Sequence, residues 1–316
     1  MDDLDIFMIF RLLAKLALVL FGNFTIFAHN LANFDVEVIA PSSGVSQELA
    51  KKISEIIGKK IESGKNSEAQ VFADAKIKFQ KLDASLRTQH KILWALRGGY
   101  GVDKIMPLII KKDYSKEMKK IIIGYSDLTA LMIYFSQKYG WLAVNAPMLK
   151  DFATKDKSSK SYTDIVNFLK NKNGTLKISD LQPINEPSRL NKIVKGKVTG
   201  GNLTCIISTI GTPWQIKTAG KIIFLEDTNV SGFRLDRLLT HMKNAGLFDN
   251  AVAIIFGDFG ANTDTIKILK TFANNLHIPV YKSASFGHQK VNLPFVYGFN
   301  GTISSHQNNA EIVMSK

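Results

Sequence analysis

IIIGYSDLTAL, residues 121–131, runs from three β-branched residues through a glycine into a serine flanked by Tyr125 and Asp127. The pattern predicts a strand, a tight turn and a helix, because Leu128, Leu131, Met132 and Phe135 follow at i, i+3, i+4 and i+7 spacing. Ser126 then occupies the turn at the C-terminal edge of a sheet, where unpaired N–H groups of the helix start face its hydroxyl. Such a serine is a candidate nucleophile. It is equally a good helix N-cap, and this segment alone favours the cap, since the second glycine of the G-x-S-x-G elbow is missing.

The same alternation extends in both directions. Upstream, VEVIA from Val36 leads into the loop Pro41, Ser42, Ser43, Gly44, and Ser46 precedes a helical face of Leu49, Ile53, Ile56 and Ile57. Residues 92–95 form a second buried strand that delivers Leu96, Arg97, Gly98, Gly99, Tyr100 and Gly101. Three glycines in four positions allow close backbone approach to a ligand, or simply a turn, and Arg97 offers a planar fork of donors for an acidic group. Residues 62–91 are polar and Lys-rich and are expected to be a surface helix and loops.

Downstream, residues 151–197 shift to Lys, Ser, Asn and Asp with Pro183 and Pro187, which reads as the interdomain region, with a helix around residues 162–169. Gly200 and Gly201 open a helical pattern (Leu203, Ile206, Ile207, Ile210) and fit either an anion cradle or tight packing against the first domain. The strand KIIFL, residues 221–225, ends on Glu226 and Asp227. Leu235, Leu238, Leu239 and Met242 then mark a helix closed by Gly246, residues 251–256 another strand, and residues 279–285 lead to Gly287 and His288. Short apolar strands alternating with helices predict an α/β fold with a mainly parallel sheet, whose ligands gather at the carboxyl ends of the strands.

Composition narrows the classes. The 316 residues carry 41 basic and 27 acidic side chains, a net charge of +14, but Lys is scattered and no nucleic-acid-binding motif occurs. A nucleic-acid partner is not expected. Cys205 is the single cysteine, so an intrachain disulfide and a cysteine zinc cluster are excluded, and the six histidines form no HExxH. Residues 1–34 differ from the rest: after an acidic start, Arg11 and Lys15 precede the apolar run of residues 16–28. Together with residues 6–10 this suggests a signal segment or a membrane association through residues 6–28, although Ile26 and Ala28 make a poor cleavage site.

Ser126, Glu226 and His288 thus each follow a predicted strand, and together they contain a nucleophile, an orienting carboxylate and a base. Each alone has a structural explanation, as cap, salt-bridge partner or loop residue. LRGGYG at 96–101, GYSDLTAL at 124–131, GGNL at 200–203, FLEDTNVSGFRLDRLLTHMKNAGLF at 224–248 and FGHQKVNLPFVYG at 286–298 resemble the LD-carboxypeptidase family of serine peptidases, in order from about Val36 to the C-terminus. The resemblance implies a two-domain α/β enzyme, its N-terminal domain carrying nucleophile Ser126 and its C-terminal α/β domain carrying Glu226 as orienting acid and His288 as general base. It also implies an oxyanion hole from the backbone N–H groups of Asp127 and Gly99, and substrate contacts at Arg97 and Tyr100. The boundaries that follow are an extension at 1–34, a nucleophile domain at 35–160, a linker at 161–197 and a C-terminal domain at 198–316.

The substrate this implies is a muropeptide or other small peptide, cleaved at the L,D-amide that holds a terminal D-amino acid such as the D-Ala of a murein tetrapeptide, with no metal or organic cofactor. Two alternatives are a microcin-immunity-like peptidase acting on aminoacyl-nucleotide conjugates and an inactive muropeptide-binding protein. A cytoplasmic place and a homodimer are expectations of the resemblance, with an inner-membrane or periplasmic place the alternative if the apolar N-terminus directs export.

Overall fold

The computed structural model describes residues 31–64, 75–155, 160–171, 174–190, 192–260, 263–306 and 308–316. Strands β1 (Val36–Ile39), β2 (Ile92–Ala95), β3 (Ile121–Gly124) and β4 (Leu142–Asn145) lie side by side and parallel in chain order. All four residues of β2 and all four of β3 are buried, which is why they read as unbroken apolar blocks: a parallel sheet covered on both faces has no polar side.

Helices α1 (Gln47–Ile57), α2 (Ala75–Arg87), α3 (Val102–Ile109), α4 (Thr129–Tyr139) and α5 (Leu149–Thr154) cover this sheet, α1 packing with α5 and α3 with both α2 and α4. Ser46 caps α1 as its sequence predicts, its Oγ accepting from Leu49 N at 3.3 Å. Helix α4 departs from the amphipathic stripe expected of it. Every residue from Thr129 to Phe135 is buried, because the second half of the chain covers the side turned away from the sheet.

That second half is a closed barrel. Helix α6 (Lys160–Lys170) leads into β5 (Leu176–Pro183), and α7 (Glu186–Arg189) into β6 (Ile193–Asn202). Then follow α8 (Leu203–Thr209), β7 (Lys221–Glu226), α9 (Gly232–Asn244), β8 (Ala253–Phe256), α10 (Thr263–Asn274) and β9 (Val280–Lys282). After β10 (Phe295–Val296) the chain ends in the hairpin β11 (Asn300–His306) and β12 (Asn309–Ser315). Strands β6 to β9 are parallel, and β5, β11 and β12 close the ring antiparallel in the order β11-β12-β5-β9-β8-β7-β6.

Two boundaries drawn on composition differ from this topology. The stretch 161–197 supplies α6, all of β5 and half of β6 and so is built into the barrel. Its polar composition comes from strands with one solvated face: in LKISDLQP the residues Leu176, Ile178, Leu181 and Pro183 point inward and Lys177 and Ser179 outward. The C-terminal part also reaches back, since β10 pairs antiparallel with β4, Phe295 opposite Asn145 and Val296 opposite Val144, as the fifth strand of the first sheet. The apolar residues 16–28 lie outside the described residues, and no helix among the described residues is long and apolar enough to cross a membrane.

The glycines at the end of β6 serve packing. A Cβ on Gly200 would lie 1.9 Å from Phe224 O, and one on Gly201 2.7 Å from Thr129 Cγ2 of α4 and 2.9 Å from Tyr297 Oη. Both have positive φ, 135° and 125°. Gly201→Ala is therefore expected to lower the unfolding free energy by roughly 2 kcal/mol or more, measured by urea denaturation, through overpacking and backbone strain together.

Candidate active site

Strand β3 ends at Gly124, and the chain turns sharply through Tyr125 into a short 3-10 turn, Ser126–Leu128, that runs on into α4. The turn holds Ser126 at φ 63°, in the left-handed region that L-residues avoid at a cost of about 1–2 kcal/mol. Its surroundings hold it there. Leu128 packs so tightly under the turn that a Cβ at Gly124 would lie 3.1 Å from its Cγ, and Thr129 Oγ1 donates to Ser126 O at 2.7 Å. On the open side Gly98 lies against the serine: a Cβ there would meet Ser126 Cβ at 3.1 Å, Ser126 Oγ at 3.2 Å and Met148 Cε at 3.3 Å.

Glu226 is the last residue of β7, fully buried, and His288 follows β9 in a loop. The structure brings both to the serine. His288 Nε2 lies 3.0 Å from Ser126 Oγ, and His288 Nδ1 lies 2.6 Å from Glu226 Oε2. A carboxylate can only accept, so Nδ1 carries the proton and Nε2 presents its lone pair to the hydroxyl. Burial disfavours the imidazolium, but the hydrogen bond and charge of Glu226 outweigh it, with Asp227 adding and Lys155 subtracting, so the His288 pKa lies above its ordinary value.

The His288 loop is fixed from several sides. Gly287, at φ 117°, passes so close to Glu226 that a Cβ would lie 3.1 Å from Oε2, and its N–H donates to Asn292 Oδ1 at 3.1 Å. The Tyr125 ring stands edge-on to the imidazole with centroids 5.0 Å apart. Tyr125 Oη donates to Asp151 Oδ1 at 3.3 Å, Lys155 Nζ lies 3.2 Å from that same oxygen, and Lys155 also donates to Gln289 O at 3.1 Å.

The two acids at the end of β7 do different things. Asn202 Nδ2 reaches both, at 3.2 Å from Glu226 Oε1 and 3.0 Å from Asp227 Oδ1. Asp227 Oδ2 accepts from Thr204 N at 2.9 Å and Thr204 Oγ1 at 2.6 Å, so it anchors the start of α8 while Glu226 meets the histidine. Asn202, Tyr125 and Asn292 fall inside the stretches that carry the family resemblance, but neither they nor Asp151 and Lys155 have a role the sequence alone assigns. Their roles become visible only once the strands that bear their partners are placed.

The remaining expected residues lie at the rim. Asp127 is buried, and its Oδ2 accepts from Val102 N at 3.0 Å, tying the serine turn to the first turn of α3 just beyond the glycines. Burial pushes its pKa up to about 6. A Cβ on Gly99 would meet Ser43 Oγ at 2.1 Å, whereas one on Gly98 would meet Ser126 Cβ at 3.1 Å. Arg97 Nε donates to Gly98 O at 3.1 Å and its Nη1 to Gly44 O at 3.3 Å, and Tyr100 is 44% exposed. Among the described residues no group of three or more His, Cys, Asp or Glu side chains is arranged to hold a metal ion.

A deep serine turn at the carboxyl ends of a parallel sheet, joined through an imidazole to a buried carboxylate on a second unit, defines a class of hydrolase site. The family model of the LD-carboxypeptidase N-terminal domain matches residues 36–146 and that of the C-terminal domain residues 195–303. The chain belongs to the LD-carboxypeptidase family and is a serine-type carboxypeptidase. A relative from Rickettsia conorii that carries a carboxypeptidase name is 39% identical over 299 residues, covering 92% of this chain and 94% of its own. The crystal structure of the muramoyltetrapeptide carboxypeptidase from Oxalobacter formigenes shares the fold with a TM-score of 0.74 at 22% identity, covering 89% of this chain and 98% of that one. The microcin C7 self-immunity protein of Escherichia coli is 26% identical over 250 residues, 68% of this chain and 71% of that protein.

The raised Asp127 pKa has a consequence for stability. The folded state holds this proton more tightly than the unfolded chain, so the contribution is full below the ordinary value of 3.8 and is lost as pH rises through about 6. Asp127→Asn keeps an acceptor for Val102 N and removes the buried charge. Urea denaturation is expected to show it more stable than the parent at pH 7, by roughly 2 kcal/mol, with the gain vanishing towards pH 4.

Proposed function

We propose that this protein hydrolyses the L,D-amide bond that holds a terminal D-amino acid, typically the D-Ala of a murein tetrapeptide, through Ser126, His288 and Glu226. The observation that carries the reading is the pair of contacts made by one imidazole, 3.0 Å to Ser126 Oγ and 2.6 Å to Glu226 Oε2, in a member of the LD-carboxypeptidase family.

Ser126 Oγ attacks the scissile carbonyl carbon while His288 Nε2 takes its proton, and the imidazolium is stabilised by Glu226. The carbonyl oxygen becomes an oxyanion, received by the backbone N–H groups of Asp127 and Gly99. His288 then protonates the leaving amine, and the C–N bond breaks to give the free D-amino acid and an ester on Ser126. Water, deprotonated by His288, attacks that ester, and the shortened peptide leaves with Ser126 restored. The left-handed turn serves this chemistry by projecting Oγ out of the sheet edge, and the burial of Glu226 keeps its charge unscreened for the imidazolium.

Purified protein incubated with murein tetrapeptide is expected to release D-Ala, detected by mass. Release of the amino acid from an aminoacyl-nucleotide conjugate instead would favour the immunity-type activity, and binding without products a non-enzymatic role. Ser126→Ala is expected to lower kcat by about 10³-fold or more with KM within a few fold, and undiminished turnover would sink the assignment. Because a general base works in its neutral form, activity should fall on the acid side through a pKa above 6.5. Glu226→Gln removes the charge that raises it, so the acid limb should move to lower pH while kcat drops roughly 10²- to 10⁴-fold.

A further inference from the structure

Two positively charged residues adjoin the segments that meet beside Ser126, where a Cβ on Gly98 would lie 3.3 Å from Met148 Cε and 3.2 Å from Ser126 Oγ. Arg97 precedes Gly98 directly, and Lys150 follows Met148 by two residues at the start of α5, where its N–H donates to Leu96 O at 2.9 Å. Residues 96–98 and 148–150 therefore run against each other beside the nucleophile, at the carboxyl edge of the first sheet. Neither cation takes part in a salt bridge among the described residues. The nearby acid, Asp151, already accepts from Met148 N at 2.9 Å and pairs with Lys155.

Arg97 has donors left over. Two of its five N–H groups go to the carbonyls of Gly98 and Gly44, which fixes the guanidinium while three remain for a ligand. Lys150 is half-buried, and burial first, then the Arg97 charge, holds its pKa below the ordinary value, only partly offset by Asp151. Holding two like charges together without an acid is unfavourable. An anion received between them removes that repulsion and gains charge-assisted hydrogen bonds.

We propose that Arg97 and Lys150 form the subsite that receives the terminal α-carboxylate of the residue being released. This rests on the carboxypeptidase reading above. In any substrate cleaved at its last amide, that carboxylate lies one residue beyond the scissile carbonyl, within about 4 Å of the attacked bond, so its partner has to stand at the rim of the nucleophile turn. Lys155, also near the site, is already committed to Asp151 and Gln289 O. The subsite explains selection for the last residue of a chain by charge, where an internal amide presents no carboxylate.

The test compares kcat/KM for a murein tetrapeptide ending in a free carboxylate with that for the same peptide ending in a carboxamide. The intact protein is expected to prefer the acid by about 100-fold. Lys150→Met should shrink this acid-to-amide ratio about tenfold, through KM for the acid, and Lys150→Arg should keep it within about threefold of the parent. A ratio unchanged in Lys150→Met, or equal cleavage of acid and amide by the intact protein, would overturn the subsite and leave the peptidase intact. Cleavage of neither peptide by the intact protein would instead overturn the reading on which the subsite rests.

Discussion

Thr129 Oγ1 donates to Ser126 O and accepts from Asn202 N at 3.1 Å, and this double bond of one hydroxyl joins the two halves of the molecule. From Asn202 the connection passes through its amide to Glu226, through the carboxylate to His288, and through the imidazole back to Ser126. The circuit closes on itself. It exists only because the end of β6 approaches α4 without a side chain at Gly201, so a docking contact between sheet and barrel sets the distance from Ser126 to His288. A serine on one unit and a histidine on another would otherwise drift by more than a hydrogen bond tolerates.

Around this circuit the protein concentrates unfavourable local states. Ser126 sits in the left-handed region, Glu226 and Asp127 are carboxyl groups removed from water, and Tyr125 and Tyr297 are phenols whose ionisation burial strongly opposes. Each is compensated by a named neighbour: Glu226 by Asn202 and His288, Asp127 by the N–H of Val102, Tyr297 by Gly200 O at 3.0 Å. Buried polar groups satisfied in this way make a rigid network, and rigidity is what positions an imidazole between two oxygens.

Much of this was legible in the chain. The buried strands announced themselves as β-branched blocks, Ser46 and Gly246 marked helix ends, and the three strand-end residues Ser126, Glu226 and His288 meet in space as their placement after strands suggested. What stayed hidden has a common physical cause. Strands with one wet face, β5, β11 and β12, alternate polar and apolar residues over short windows, so LKISDLQP looked like a linker. Tertiary enclosure of α4 leaves no trace in a helical stripe, because apolar residues on all sides read as one face plus scatter. The roles of Asn202 and Thr129 were hidden for another reason: neutral side chains acquire meaning only from partners roughly 24 and 73 positions away in sequence.

The return of β10 to the first sheet bears on how the molecule is made. Until Phe295 and Val296 have left the ribosome, β4 presents an open edge of unpaired N–H and C=O groups, although it and the other three strands of that sheet were synthesised roughly 150 residues earlier or more. The first sheet is thus completed by almost the last part of the chain, just after His288 itself emerges. Chain synthesis in this protein is also a timer: a nascent or truncated polypeptide carries Ser126 but has neither His288 nor a closed sheet, so the Ser126–His288–Glu226 contacts arrive in one late step.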